Sequence, residues 1–109
     1  MDKTTNHNII KFISSVSISY PGFVKAYLFG SFAKQRNTPD SDIDIALIFE
    51  NLDDKEKFDR QVQLLLLASG YDTRIEPHPL SNLDLKTENP FVEEIIKTGI
   101  ELSLQTSGL

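Results

Sequence analysis

The 109 residues carry a formal net charge of −5, with 39% hydrophobic and 25% charged residues, and predict one soluble domain spanning 1–109 without room for a second, substrate-binding domain. The acidic balance argues against direct nucleic-acid binding, which needs a basic patch, and no apolar run is long enough to cross a bilayer. The lack of cysteine excludes disulfides and thiolate metal sites; Met1–Asn6 also lacks the cationic start and apolar core of a signal peptide, so a cytoplasmic protein is expected.

Ile9, Ile10, Ile13 and Val16 form the stripe of an amphipathic helix over Asn6 to Ser19, with Thr4 or Thr5 as its cap. Pro21-Gly22 then marks a loop into a short buried strand, Val24 to Phe29, apolar except for Lys25. Gly30-Ser31 breaks that strand. Glycine permits a tight turn and close backbone approach, Ser31 can cap a helical turn, and the N–H groups of such a turn can receive an anion. Taken alone, a Gly-Ser pair is most often only a turn.

A polar connection containing Thr38-Pro39-Asp40 leads to a second strand beginning at Asp42. Its alternation puts Asp42 and Asp44 on one face and Ile43, Ile45 and Leu47 on the other. An Asp-x-Asp pair is commonly a solvated strand edge. Here Asp44 lies inside an apolar run, where an unpaired charge is costly and a bound cation would remove the cost. Asp40 reads as a loop charge.

Asn51 to Asp54 ends the strand and opens a helix whose inner face is expected to hold Phe58, Val62, Leu65 and Leu66, widened by Leu64 and Leu67, with Gly70 as its end. An exposed flank of this helix meeting a partner is the alternative. Tyr71 to His78 predicts a third strand that Pro77 and Pro79 confine to an edge or terminate. Arg74, Glu76 and His78 share one of its faces. Glu76 is either a third site carboxylate or a surface residue paired with Arg74; Asp72 is the reserve, and His78 reads as structural or exposed. Leu80 to Asn89 predicts a polar flap, Pro90 a helix start with Phe91, Ile95 and Ile96 as its apolar face, and Ile100, Leu102 and Leu104 a terminal extended segment. Gln105 to Leu109 is expected to fray.

Phe29-Gly30-Ser31, ten intervening residues, and Asp42-Ile43-Asp44-Ile45 together resemble the signature of the polymerase-β-like nucleotidyltransferases. Gly30-Ser31-Phe32-Ala33-Lys34 with Ser41-Asp42-Ile43-Asp44 resembles, more narrowly, the minimal nucleotidyltransferase (MNT) family, over nearly the whole chain. The departure is Lys34-Gln35, where the family commonly has Arg-Gly. The resemblance implies an α/β nucleotidyltransferase fold, a small mixed sheet with helices packed on it. It further implies that Asp42, Asp44 and Glu76 hold two Mg²⁺ ions and that Gly30 and Ser31 hold phosphates with Lys34 or Arg36. Glu76 would be the general base, and ATP or another nucleoside triphosphate the substrate. The implied reaction transfers AMP or another NMP to a hydroxyl of a HEPN-domain toxin within a hetero-oligomer, the chain acting as antitoxin. The alternative is a non-catalytic module that neutralises the same kind of partner by binding alone.

Overall fold

The computed structural model describes residues 2–102. Helix α1 (Lys3–Ser19) starts one turn earlier than its apolar stripe implies, because Asp2 rather than Thr4 or Thr5 is its cap. The Asp2 carboxylate accepts the Thr5 N–H at 2.7 Å, and Thr5 is buried inside the first turn. Ile9, Phe12, Ile13 and Val16 face the core, the i, i+3, i+4, i+7 row. Ile10 sits on the flank, and Phe12 takes the inward place that Ile10 was expected to share.

Strands β1 (Phe23–Phe29), β2 (Ile43–Phe49), β3 (Ile75–Ser81) and β4 (Ile100–Leu102) form a mixed sheet in the order β3-β2-β1-β4. β2 runs antiparallel to β1 and parallel to β3, while β4 pairs antiparallel with β1. This is the expected α/β architecture. β2 is central, and alternation divides its residues between two cores. Ile43, Ile45, Leu47 and Phe49 pack with α1 and with helix α3 (Asp54–Ser69), whereas Ala46 and Ile48 pack with helix α4 (Pro90–Thr98). Asp44 begins the second face, where the α4 core gives out. The terminal extended segment is present as β4; Leu104 and Gln105–Leu109 lie outside the described residues.

α3 opens on the expected signal, with Asp53 and Glu56 forming a capping box, but its rotation differs from expectation. Phe58, Val62, Leu65 and Leu66 point outward, exposed by 69%, 47%, 50% and 71%. The inward row is Lys57, Arg60, Leu64, Leu67 and Ala68, centred about 150° round the helix from the outward stripe. Two cations win places that hydrophobicity alone gives to Phe58 and Val62. Arg60 lies over Tyr20 and Phe49, 4.4 and 4.6 Å from their centroids, and Lys57 reaches Asp84 at 2.8 Å.

β3 starts at Ile75 rather than Tyr71, because Asp72 and Arg74 form a side-chain-locked turn. Arg74 donates to Asp72 through its backbone N–H at 3.0 Å and its guanidinium at 2.8 Å, so Arg74 does not pair with Glu76. The strand then runs through both prolines to Ser81. Arg74 O accepts the Ile43 N–H at 2.8 Å, so even-numbered residues turn their peptide groups toward β2. Pro77 and Pro79 therefore turn theirs to the open edge, where no N–H is needed. The expected polar flap is instead the end of β3 and a 3-10 helix (Asn82–Lys86) capped by Ser81 and tied to α3 through Asp84. α4 starts at Pro90 as expected, but Val92 and Ile95 are its buried residues; Phe91 and Ile96 are 47% and 43% exposed.

Arg74 joins the turn, α1 and the short helix α2 (Gly30–Ala33) at once: it also donates to the Thr5 hydroxyl at 2.9 Å, and its guanidinium lies 5.8 Å from the Phe32 ring centroid. Its hydrogen bonds hold the Asp72 carboxyl below its ordinary value of 3.8, against the opposing effect of burial. Such a depressed acid contributes stability above its unfolded pKa, lost as pH falls through the folded one. Arg74→Ala should therefore cost about 2–3 kcal/mol at neutral pH. Urea titrations at successive pH values should show the difference from the parent narrowing as pH falls through the depressed pKa.

Candidate functional site

The site forms where β1 ends. Gly30 adopts φ +73°, a left-handed conformation that L side chains rarely take, and turns the chain into the single helical turn α2 (Gly30–Ala33). The antiparallel register sets Phe29 opposite Asp44, so this turn passes directly against the Asp44 carboxylate. A Cβ on Gly30 would collide with that carboxylate. Glycine is thus required twice, by its φ and by the space Asp44 occupies.

The parallel register sets Asp44 opposite Glu76 and Ala46 opposite His78. Strand alternation puts Glu76 and His78 on the same face as Asp44. His78 Nε2 lies 3.2 Å from Asp44 Oδ1, and its ring is edge-on to Phe29 at 5.1 Å between centroids. Asp44, Glu76 and His78 each offer a ligand atom, and these atoms lie within 4.8 Å of one another. Burial pushes the Glu76 carboxyl above its ordinary value; His78 opposes this, and Asp42 and Asp44 add to it. Two carboxylates and an imidazole converging on one partly exposed face of the sheet fit a divalent cation with oxygen and nitrogen donors.

Of the residues expected from sequence, Gly30, Asp44 and Glu76 come together. Asp42 lies exposed just before β2, facing Glu76 but outside the converging trio. Ser31 is half-buried in the first turn of α2, its carbonyl accepting the Arg36 N–H at 2.9 Å. Lys34 is exposed and reaches Glu94 of α4 at a loose 3.9 Å, and Arg36 is exposed beyond α2. Asp72, the reserve carboxylate, is occupied by Arg74, and Asp40 is an exposed loop residue. His78, read from sequence as structural or exposed, belongs to the cluster. The signal was there in the Glu76-x-His78 alternation.

The family described as polymerase beta, nucleotidyltransferase is matched by residues 8–106. A candidate nucleotidyltransferase from Sulfolobus solfataricus superposes with a TM-score of 0.61 at 20% identity, over 93% of this chain and 87% of that one. A toxin-antitoxin structure with AMP-PNP superposes with a TM-score of 0.58 at 23% identity, over 94% and 75%. A mutant of the toxin-antitoxin pair MntA-HpeT gives 0.56 at 24% identity, over 94% and 75%. At these identities the likeness establishes a shared fold. No curated protein matches the chain.

Glu76→Gln removes a charge that burial and two neighbours disfavour. In EDTA its melting temperature should exceed the parent's by a few degrees, and added Mg²⁺ should narrow the gap. Gly30→Ala should destabilise by about 1–3 kcal/mol, from strain and from displacement of Asp44. Calorimetric melts with and without Mg²⁺ measure both; an unchanged Gly30→Ala melt would contradict the packing described.

Proposed function

The chain belongs to the polymerase beta nucleotidyltransferase family, and from that premise we propose that it transfers a nucleoside monophosphate, AMP first among candidates, to a hydroxyl of a protein partner. The partner proposed is a HEPN-domain toxin, with this chain as its cytoplasmic antitoxin. The observation that carries this reading is the meeting of Asp44 and Glu76 beside the positive-φ turn at Gly30. It is supported by the fold shared with two toxin-antitoxin structures, one of them with AMP-PNP.

Asp42, Asp44 and Glu76 would hold two Mg²⁺ ions. Bound there, the ions supply Lewis-acid neutralisation of the triphosphate charge. The backbone N–H groups of the Gly30-Ser31 turn and the Ser31 hydroxyl hold the β- and γ-phosphates. Lys34 or Arg36 adds a cation; the Lys34–Glu94 pair is exposed and long, so releasing it costs little. Glu76 takes the proton of the attacking hydroxyl. The hydroxyl oxygen bonds to the α-phosphorus as the bond from that phosphorus to the bridging oxygen breaks, and pyrophosphate leaves.

One observation favours a second reading, neutralisation by binding alone. The outward stripe Phe58, Val62, Leu65 and Leu66 on α3 is an apolar surface of the kind that protein interfaces use. Intact-mass spectrometry of a HEPN partner co-expressed with the parent or with Glu76→Gln separates the two readings. Transfer predicts an AMP-sized mass increase that vanishes in the variant. An unmodified partner, neutralised equally by both chains, supports the binding module instead.

A further inference from the structure

His78 stands between Pro77 and Pro79, and the proposed transfer chemistry gives it no role. The two prolines fix φ on either side of it, in a strand whose peptide groups at even positions are turned toward β2. Its partner in register is Ala46, whose small side chain leaves the imidazole room above the sheet. Phe29 at 5.1 Å and Phe91 at 6.2 Å between centroids flank the ring and restrict its rotation. A packed, proline-framed imidazole is therefore presented to Asp44 with one nitrogen forward.

We propose that His78, through Nε2, is a direct ligand of the metal held by Asp44 and Glu76, and that this nitrogen shifts the site's preference from Mg²⁺ toward Mn²⁺. This assignment rests on the nucleotidyltransferase reading, since it concerns the same site. Donors bonded to one ion at about 2.1 Å stand roughly 3.0–3.4 Å apart along an octahedral or tetrahedral edge. His78 Nε2 and Asp44 Oδ1 stand 3.2 Å apart. That spacing also suits a hydrogen bond, so Glu76 decides between the two roles. An imidazole–carboxylate pair alone gives no place to a second carboxylate, yet a Glu76 oxygen lies within 4.8 Å of a ligand atom of each. Three donors converging from two strands leave a position between them that an ion fills and a hydrogen bond does not. Mg²⁺ is held almost wholly by oxygen and keeps its waters, whereas imidazole binds transition-metal ions.

Mn²⁺ is the probe because its electron spin reports directly on coordinated nitrogen. Electron spin-echo envelope modulation of the Mn²⁺-loaded chain should show a directly bound ¹⁴N. The chain has two histidines, so the signal should persist in His7→Asn and disappear in His78→Asn. Titration should show His78→Asn weakening Mn²⁺ binding about tenfold while changing Mg²⁺ binding by less than about twofold. Bound Mn²⁺ without nitrogen modulation in the parent would overturn the proposal. So would equal loss of both ions in His78→Asn, which would make His78 a residue that only positions Asp44. The parent's spectrum is decisive even if a variant fails to fold. Nitrogen-coupled Mn²⁺ in a chain that transfers no nucleotide would uphold the ligand and reject the transfer reading. Transfer without nitrogen coupling would do the reverse.

Discussion

Everything at the site depends on a concentration of negative charge held at the end of a strand that is otherwise buried on both faces. β2 has little freedom to move Asp44 away: Ile43 and Ile45 on either side are fully buried, and the Gly30 turn that follows β1 leaves no room for a Cβ beside the carboxylate. The parallel partner strand brings Glu76 alongside in register. Burial first, and the neighbouring Asp42 and Asp44 second, push the Glu76 carboxyl up, which His78 only partly offsets. A fold that holds like charges together against their repulsion gains most when a cation enters.

The surroundings of the site are built to resist that repulsion. The sheet is clamped on one face by α1 and α3 and on the other by α4, so the strand ends have little slack. Arg74 anchors the turn that leads into β3 by holding Asp72 and Thr5. The 3-10 helix after β3 is tied back to α3 by Lys57 and Asp84 at 2.8 Å. Glu76 and His78 are thereby fixed from both ends of a strand that lies at the edge of the sheet. Preorganisation of this kind lets the site bind without first reorganising.

Much of this was legible in the residues. Gly30, Asp44 and Glu76 could be placed because strand alternation has a period of two and because glycine marks where backbone must approach closely. Helix rotation was harder to read. Phe58, Val62, Leu65 and Leu66 make as good a stripe as the row that is buried; Arg60 on Tyr20 and Phe49, and Lys57 on Asp84, choose between them through tertiary contacts. The Asp72–Arg74 lock likewise moved the start of β3, since Arg74 could equally have paired with Glu76 in an extended strand. His78 was harder to place for a different reason: its flanking prolines allow either a strand's end or an edge strand, and the sheet order decides for the edge.

The transfer proposed for this chain requires Asp44 and its neighbours to make a cation-dependent triphosphate site. Isothermal titration of ATP into the purified chain, with Mg²⁺ or with EDTA, tests it most directly when repeated on Asp44→Asn. Binding should be seen in Mg²⁺, lost in EDTA and weakened by about tenfold or more in the variant. Equal ATP affinity in Mg²⁺ and EDTA, or an Asp44→Asn chain that binds as the parent does, would contradict it.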